Sequence, residues 1–162
     1  MVKDLVDSNL AKVDEDVLTR EHAIGGINPF IKYYLPQTKI VPLILSGRMN
    51  LAEIDELANK LKNYLDDQTV LVAPVDFSHY LTQAEAQEKD KVSWQIMQDF
   101  DYPKLLKLNN DYLDSPSSIA TLLKVTEKIN AKNSDLLYNT NSGIITNQPH
   151  VSTTSYFSIA YY

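Results

Sequence analysis

The sequence predicts a single α/β domain of three layers, built on a mixed and mainly parallel central sheet. Two apolar runs, at residues 39–45 and 69–75, are rich in β-branched residues, as buried strands are. Between them, leucine and isoleucine recur at helical spacing over residues 51–65. A strand, a helix and a strand in this order form a crossover between adjacent parallel strands, so both strands should end at one edge of the sheet.

The first elements can be justified in chain order. Gly25 and Gly26 are adjacent, and each glycine costs about 1 kcal/mol inside a helix, which predicts a loop or a helix start at this point. The first predicted strand, at residues 39–45, follows. Asn50 then has the side chain of a helix cap and stands directly before the predicted helix at residues 51–65.

The middle of the chain predicts helices. Thr82 and Glu85 have the spacing of a capping box, which predicts a helix over residues 82–100. Pro103 ends this pattern, and a short helical segment is expected at residues 104–109.

The last elements are a helix and strands. Ser115 suits a helix cap and Pro116 suits the first helical position. Residues 155–162 alternate between large apolar and small polar side chains, as a half-covered strand does. If this strand lies at an edge of the sheet, it predicts a homo-oligomer formed through the C-terminal strand.

Polar residues follow the second predicted strand where it leaves the sheet. Asp76 and His79 stand three residues apart there, and ligands of open α/β sheets bind at the carboxyl ends of strands. One interpretation makes His79 a metal ligand or an acid/base catalyst, with Asp76 as its orienting partner, a base or a second ligand. The other is structural: a solvated histidine beside an aspartate that caps the next helix.

Several motifs together resemble the Memo family, also called AmmeMemoRadiSam system protein B. The motifs are Glu21-His22, a Pro-Phe pair at 29–30, the apolar run at 39–45 and Asp-Phe-Ser-His-Tyr at 76–80. Residues 118–123, 136–143 and 154–161 are similar to the last helix and the two last strands of that family. The resemblance implies a fold related to the class III extradiol dioxygenases and a metal site with His22 and His79 among its ligands.

The resemblance also implies a missing portion. Family members carry an amino-terminal part with a Pro-His-Ala-Gly-like motif, whose histidine is the first metal ligand, and nothing before Glu21 matches it. The chain should therefore correspond to the C-terminal portion of the family. It is expected to be a fragment, an amino-terminally shortened lineage, or a protein whose missing part another chain provides.

Asp114 occupies the position of a cysteine that, in the family, is the last metal ligand. It stands five residues before Ile119, where the family commonly has a Cys-Gly pair. An oxygen ligand in place of sulfur would favour Fe(II), Mn or Zn over Cu(I). The alternative is that Asp114 only caps the helix that follows and stabilises its positive end.

Two further positions depart from the family pattern. Gly25 and Ile27 stand where the family has Glu and Gln, so the shell around His22 is thinned and metal binding should be weak. The third histidine, His150, lies in a turn-like loop and is interpreted as structural.

Composition sets the outer bounds on function. The 162 residues are enough for one domain with a core. A net charge of −6 argues against a nucleic-acid partner. The absence of cysteine excludes disulfides and agrees with a cytoplasmic location. No apolar run reaches the roughly 18 residues of a membrane span, so no membrane partner is expected.

Three functions follow from the resemblance. The first is a Memo-like protein with a candidate or vestigial metal site, acting as an accessory of the AmmeMemoRadiSam system beside a radical-SAM enzyme. The second is a dioxygenase-like or hydrolase-like enzyme on a small molecule, with a divalent metal (Fe, Zn, Mn or Cu) held by His22, His79 and Asp114 and with Asp76 and His79 as catalytic groups. The third is a non-catalytic scaffold for a protein partner. The resemblance also implies that His22, Asp76, His79 and Asp114 converge on one crevice.

Overall fold

The computed structural model describes all residues from 1 to 162, and the chain divides into two compact units, Met1–Ser46 and Gly47–Tyr162. The first unit contains three helices, α1 (Val2–Asp7), α2 (Glu15–Leu18) and α3 (Ala23–Tyr34). The two adjacent glycines lie in the first turns of α3, so of the two expectations for this segment the helix start is observed.

The carboxylate of Glu21 caps α3. It accepts hydrogen bonds from the backbone amides of Ala23 at 2.8 Å and Ile24 at 2.7 Å. These two amides are among the four at a helix start that have no partner within the helix, and a carboxylate is favoured there by the helix dipole. The cap explains why a helix with glycines in its first turns begins at this point.

The second unit contains five helices and three strands. In chain order they are α4 (Leu51–Leu61), extended by a 3₁₀ turn (Lys62–Tyr64), β1 (Phe77–Leu81), α5 (Gln83–Gln98), α6 (Tyr102–Leu105), α7 (Pro116–Lys128), β2 (Ser134–Asn141), α8 (Ser142–Ile145) and β3 (Thr153–Tyr161). The predicted caps are observed at α4 and α5, where Asn50 and Thr82 each take part in a complete capping box.

The prediction of a mainly parallel central sheet is wrong. The sheet has three strands in the order β1-β3-β2, and both pairings are antiparallel. Residues 39–45 and 69–75, the two strands of the predicted crossover, form neither helix nor strand. A physical reason lies in Pro42 and Pro74, because a proline has no amide to donate and interrupts a ladder on at least one side. The fold is a mixed α/β arrangement with a small antiparallel sheet, not the extradiol-dioxygenase-like sheet.

The C-terminal strand is the central strand of the sheet, with β1 on one side and β2 on the other. The expected edge position is therefore wrong for the start of β3, where Thr153–Ser155 pair with β1. From Tyr156 onward β3 pairs with β2 alone, and the homo-oligomer stays a prediction.

A hydrophobic core fills the second unit between the helices and the sheet. In β1 and β3, Phe77 and Phe157 meet with ring centroids 4.4 Å apart. The buried members of the core come from α4, β1, α5, α6, α7 and the residues before α7: Ile54, Phe77, Ile96, Met97, Tyr102, Leu105, Leu113, Ile119, Ala120 and Leu123. No helix of the chain is both long and apolar enough to span a bilayer.

Candidate functional site

Backbone hydrogen bonds hold the segment before α7 against β1. The amide of Asp114 donates to the carbonyl of Asp76 at 3.0 Å, and Leu113 forms an isolated antiparallel bridge with Phe77. The amide of His79 in turn donates to the carbonyl of Asn110 at 3.0 Å. As a result, the stretch that carries Asp114 lies beside the strand that carries His79.

β1 is irregular at His79. The pairing of β1 with β3 shifts register on both sides of this residue, from Phe77 to His79 and from His79 to Leu81. The next residue, Tyr80, has a positive backbone φ of 59°, a value that residues other than glycine rarely adopt. Such bulges redirect side chains, and here the irregularity sets the direction of the imidazole.

Each ring nitrogen of His79 lies close to an oxygen of another side chain, but only Nδ1 forms a hydrogen bond. Nδ1 lies 3.0 Å from Oγ1 of Thr154 in a hydrogen bond, and Nε2 lies 3.0 Å from Oδ2 of Asp114. The second contact is not an aligned N–H hydrogen bond, because Nε2 is buried and has no hydrogen-bond partner by its geometry. The side chain of His79 is 12% exposed and that of Asp114 is 40% exposed. Nε2 and the carboxylate therefore meet at the border between the interior and solvent.

The position of the Asp114 carboxylate argues against the interpretation of Asp114 as a helix cap, and its role as a metal ligand stays a prediction. Ser115 holds the cap position of α7, and no side chain makes a cap hydrogen bond there. The carboxylate of Asp114 is directed to His79 instead. It is thus a neighbour of the imidazole and not the cap of α7.

Thr154 sets which nitrogen of His79 has a lone pair available. When Nδ1 carries the proton and donates it to Oγ1 of Thr154, Nε2 faces Asp114 with a free lone pair. This is the state in which histidines bind metals, with the far nitrogen held by a neighbouring oxygen. When Thr154 donates instead, the proton sits on Nε2, which then presents a hydrogen-bond donor to the carboxylate.

Tyr156 shares a face of β3 with Thr154, since the two are two residues apart in a strand. Burial, and after it the negative charge of Asp76, raises the pKa of the Tyr156 phenol. The phenol is thus within electrostatic reach of Asp76 and remains a hydrogen-bond donor. Neither Thr154 nor Tyr156 was predicted from the sequence, because they reach the site through the pairing of β1 with β3, whose residues are about 75 positions apart in the chain.

His22 lies in the first unit, at the position before α3, where its exposed side chain makes no cap hydrogen bond. Of the four residues predicted to converge, the structure brings the side chains of His79 and Asp114 together in the second unit, and Asp76 contacts Asp114 through its backbone carbonyl. The participation of the Asp76 carboxylate stays a prediction. The participation of His22 stays a prediction. His150 is exposed in the turn between α8 and β3.

The side chains of His79 and Asp114 have the spacing of two ligands of one metal ion. No group of three or more histidine, aspartate or glutamate side chains is arranged to hold a metal ion in the second unit. The two atoms Nε2 and Oδ2 nevertheless have a suitable spacing, because two ligand atoms at right angles and about 2.1 Å from one metal are about 3 Å apart. A buried imidazole nitrogen with no hydrogen bond is the kind of atom that a metal would satisfy.

The first unit contains a separate open cavity of about 540 Å³. Glu21, Gly25, Asn28, Lys32 and Ile40 are among the residues that line it. The oxygen Oδ1 of Asn28 is buried and has no hydrogen-bond partner. The carboxylate of Glu21 already accepts the two amides at the start of α3. The cavity is therefore lined by apolar side chains together with a small number of polar groups that are available to a ligand.

Comparison with known proteins gives a consistent group of relatives. The family model described as "Memo-like protein" matches residues 1–160. A MEMO1 family protein of Pyrobaculum aerophilum is 24% identical over 167 residues, which cover 98% of this chain and 59% of the relative. One from Methanococcus maripaludis strain C5 is 25% identical over 152 residues, which cover 86% of this chain and 52% of the relative.

A further relative, a MEMO1 family protein of Methanobrevibacter smithii, is 33% identical over 102 residues, which cover 62% of this chain and 36% of the relative. The chain spans about half the length of the curated relatives it matches.

Proposed function

Because this chain belongs to the Memo-like protein family, we propose that it binds a divalent metal ion through His79 and Asp114, in a site that takes a small molecule. The single observation that carries the proposal is the buried Nε2 of His79, which has no hydrogen-bond partner and lies 3.0 Å from Oδ2 of Asp114. Water can complete the coordination of a metal held by two protein ligands. The candidate ligand set is one imidazole and one carboxylate.

The ligand types favour certain metals. Imidazole with a carboxylate suits Fe(II), Mn(II) and Zn(II), whereas Cu(I) prefers sulfur ligands, and the chain has no cysteine. A metal ion of this kind would polarise an oxygen of a bound molecule or lower the pKa of a bound water. The chemistry at the site would thus be that of a Lewis acid or of an activated water.

The neighbouring residues prepare the two ligands. In the tautomer with the proton on Nδ1, Oγ1 of Thr154 accepts a hydrogen bond from Nδ1, which leaves the lone pair of Nε2 available to a metal. The backbone bond from Asp114 to Asp76 fixes the distance between the carboxylate and β1. The phenol of Tyr156, whose pKa is raised, is protonated at neutral pH and can donate a hydrogen bond to an oxygen of a bound molecule.

The proposal predicts weak metal binding that depends on both ligands. With two protein ligands, we expect a substoichiometric metal content after purification and a low affinity in calorimetric titrations with Zn(II), Mn(II) and, without oxygen, Fe(II). Loss of an imidazole or carboxylate leaves a single ligand, so His79→Ala and Asp114→Ala should each abolish the remaining heat of binding. His150→Ala is the matched control, because His150 is an exposed loop histidine in the same chain.

Tight stoichiometric binding that survives His79→Ala would show that the metal lies elsewhere. Binding lost equally in the His150 variant would have the same meaning. The unfolding midpoint of each variant, measured without metal, separates a lost ligand from a lost fold.

The more detailed functions rest on the resemblance alone. Dioxygenase-like or hydrolase-like turnover would require the bound metal and a further catalytic group, for which Asp76 is the candidate. The accessory role beside a radical-SAM enzyme and the role of a protein-binding scaffold require neither. A measured metal affinity therefore distinguishes the first possibility from the other two.

A further inference from the structure

The cavity of the first unit is built by one face of α3 together with nearby residues of the same unit. Gly25, Asn28 and Lys32 follow one another at spacings of three and four residues, so they lie on one face of the helix. The other lining residues are Leu18, Glu21, Ile24, Lys39, Ile40 and Pro42. All of them lie within residues 18–42, and the volume of about 540 Å³ is in the range of small-molecule sites.

Gly25 keeps part of this space open. A Cβ at this position would have no heavy atom within 4 Å, and the backbone of Gly25 does not have a positive φ. Neither close packing nor backbone conformation therefore requires glycine here, although glycine weakens a helix. What the absence of a side chain provides at this position is free volume in the cavity.

Aliphatic side chains form much of the wall. Ile24, Ile40 and Pro42 are half-buried, and Leu18 is 41% exposed. An aliphatic group placed in the cavity would remove part of this surface from water, which favours binding.

The charged groups that remain available in the cavity are cations. Both oxygens of the Glu21 carboxylate accept amides of α3, as described above. The ammonium of Lys32 donates to the carbonyl of Thr38 and has further protons to donate. Lys39 is exposed and forms no ion pair. The lining therefore carries two ammonium groups without a carboxylate partner, and such groups attract an anion.

We propose that this cavity binds a small aliphatic carboxylate, with its chain against Leu18, Ile24 and Ile40 and its carboxylate at the ammonium groups of Lys32 and Lys39. The site is independent of the metal site proposed above, whose two ligands belong to the second unit.

The test uses octanoate as the probe, added to the full chain at up to about 10 mM while amide chemical shifts are followed by NMR. For a ligand of this size we expect a dissociation constant of about 1 mM, with the shift changes concentrated in residues 18–42. Hexanoate should bind about fourfold to fifteenfold more weakly, because it buries two methylenes fewer. Octylammonium, which has the same chain and the opposite charge, should not bind there.

Two glycine variants give a matched pair. Gly25→Leu places a side chain in the cavity and should weaken octanoate binding at least about tenfold. Gly26→Leu is the control, because Gly26 also has free space around it but does not line the cavity. It should leave binding nearly unchanged, and thermal unfolding would report whether both variants keep the fold.

A lysine pair tests the charge. Lys39→Gln should weaken octanoate binding about twofold to fivefold, the effect of one exposed charge, whereas Lys3→Gln, at an exposed lysine of α1 outside the cavity, should not. Equal effects of the two glycine variants, equal binding of octanoate and octylammonium, or no shift change in residues 18–42 would each overturn the proposal. If Gly25→Leu fails to fold, the lysine pair and the comparison of the two head groups still decide.

Discussion

Asp90 is the most unusual single residue of the second unit. Its carboxylate is in α5, and the residue is only 2% exposed. It accepts a hydrogen bond from Oγ of Ser78 in β1 at 2.7 Å and one from Nδ2 of Asn139 in β2 at 3.0 Å. A buried carboxylate is costly unless its oxygens are satisfied, so these two donors compensate for much of the lost hydration.

Removing one of these donors should destabilise the protein. For Ser78→Ala we expect a loss of about 1.5–3 kcal/mol in the free energy of unfolding, the range for a hydrogen bond to a charged group. Urea unfolding measures the difference, and Ser152→Ala, at an exposed serine before β3, is the control and should change stability by less than about 0.5 kcal/mol. A Ser78 variant as stable as the control would show that Asp90 is satisfied without this bond.

At the scale of elements, helix α4 depends on its start. The side chain of Asn50 accepts hydrogen bonds from the amides of Ala52 at 2.9 Å and Glu53 at 3.2 Å, and Glu53 in return accepts from the amide of Asn50 at 2.8 Å. The helix is also tied to α7 near its second turn, where Asp55 pairs with Lys128 at 2.8 Å. The capping box orients the helix whose inner face supplies Ile54 to the core.

The cap can be tested with two substitutions at one position. Asn50→Ala should lower the free energy of unfolding by about 1 kcal/mol, whereas Asn50→Gly should lower it by only a few tenths of a kcal/mol, because glycine leaves the first amides accessible to water. Denaturant unfolding of both variants measures the difference. Equal losses would mean that the side chain of Asn50 does not act as a cap in solution.

The elements also show what the sequence could and could not predict. The caps at Asn50 and Thr82 are local signals, in which the residue that starts a helix and the amides it serves are three positions apart, and both helices were predicted correctly. The strand partners are not local. The pattern of residues 69–75 is that of a strand, but it contains no information about which segment lies beside it, and the antiparallel pairing of β1 with β3 was not predicted.

The same distinction holds for the candidate site. His79 and Asp114 were singled out on residue type and resemblance, and the structure places their side chains 3.0 Å apart. Thr154 was missed because a threonine in an alternating strand has no distinguishing pattern, and its role follows only from the register of β3 against β1. Candidate metal ligands can be recognised in the sequence by their residue type. Residues that orient those ligands can be recognised only when the pairing of the strands is known.

At the scale of the whole molecule, buried tyrosines make stability depend on alkaline pH. Burial raises the pKa of Tyr161 to about 12 from an ordinary value of 10.0, and its hydroxyl oxygen has no hydrogen-bond partner. Burial, and then the hydrogen bond to Glu127, raises the pKa of Tyr102 as well. In the unfolded chain both phenols ionise at ordinary pKa values, so the unfolded state gains stability first as the pH rises.

The contribution of the protonated Tyr161 phenol to the free energy of unfolding is therefore fully present below about pH 10 and should be lost between about pH 10 and 12. After discounting for partial solvent exposure, we expect a loss of about 1–2 kcal/mol. Tyr161→Phe should remove this part of the dependence and leave stability at pH 7 unchanged or slightly higher. Urea unfolding at several pH values measures it, and an unchanged alkaline slope in the variant would assign the loss to other groups.

The buried carboxylate of Asp90 also has a consequence for the order in which the chain folds. Its two donors are 12 and 49 residues away in the sequence, so β2 must dock before both oxygens are satisfied. Until then, dehydration of the charge opposes compaction, and the second bond should form after the rate-limiting barrier. We expect Asn139→Ala to accelerate unfolding and to leave the folding rate nearly unchanged, which stopped-flow kinetics in urea would measure. The hydrogen bonds of one buried carboxylate would then slow unfolding of the protein and have little effect on its folding rate.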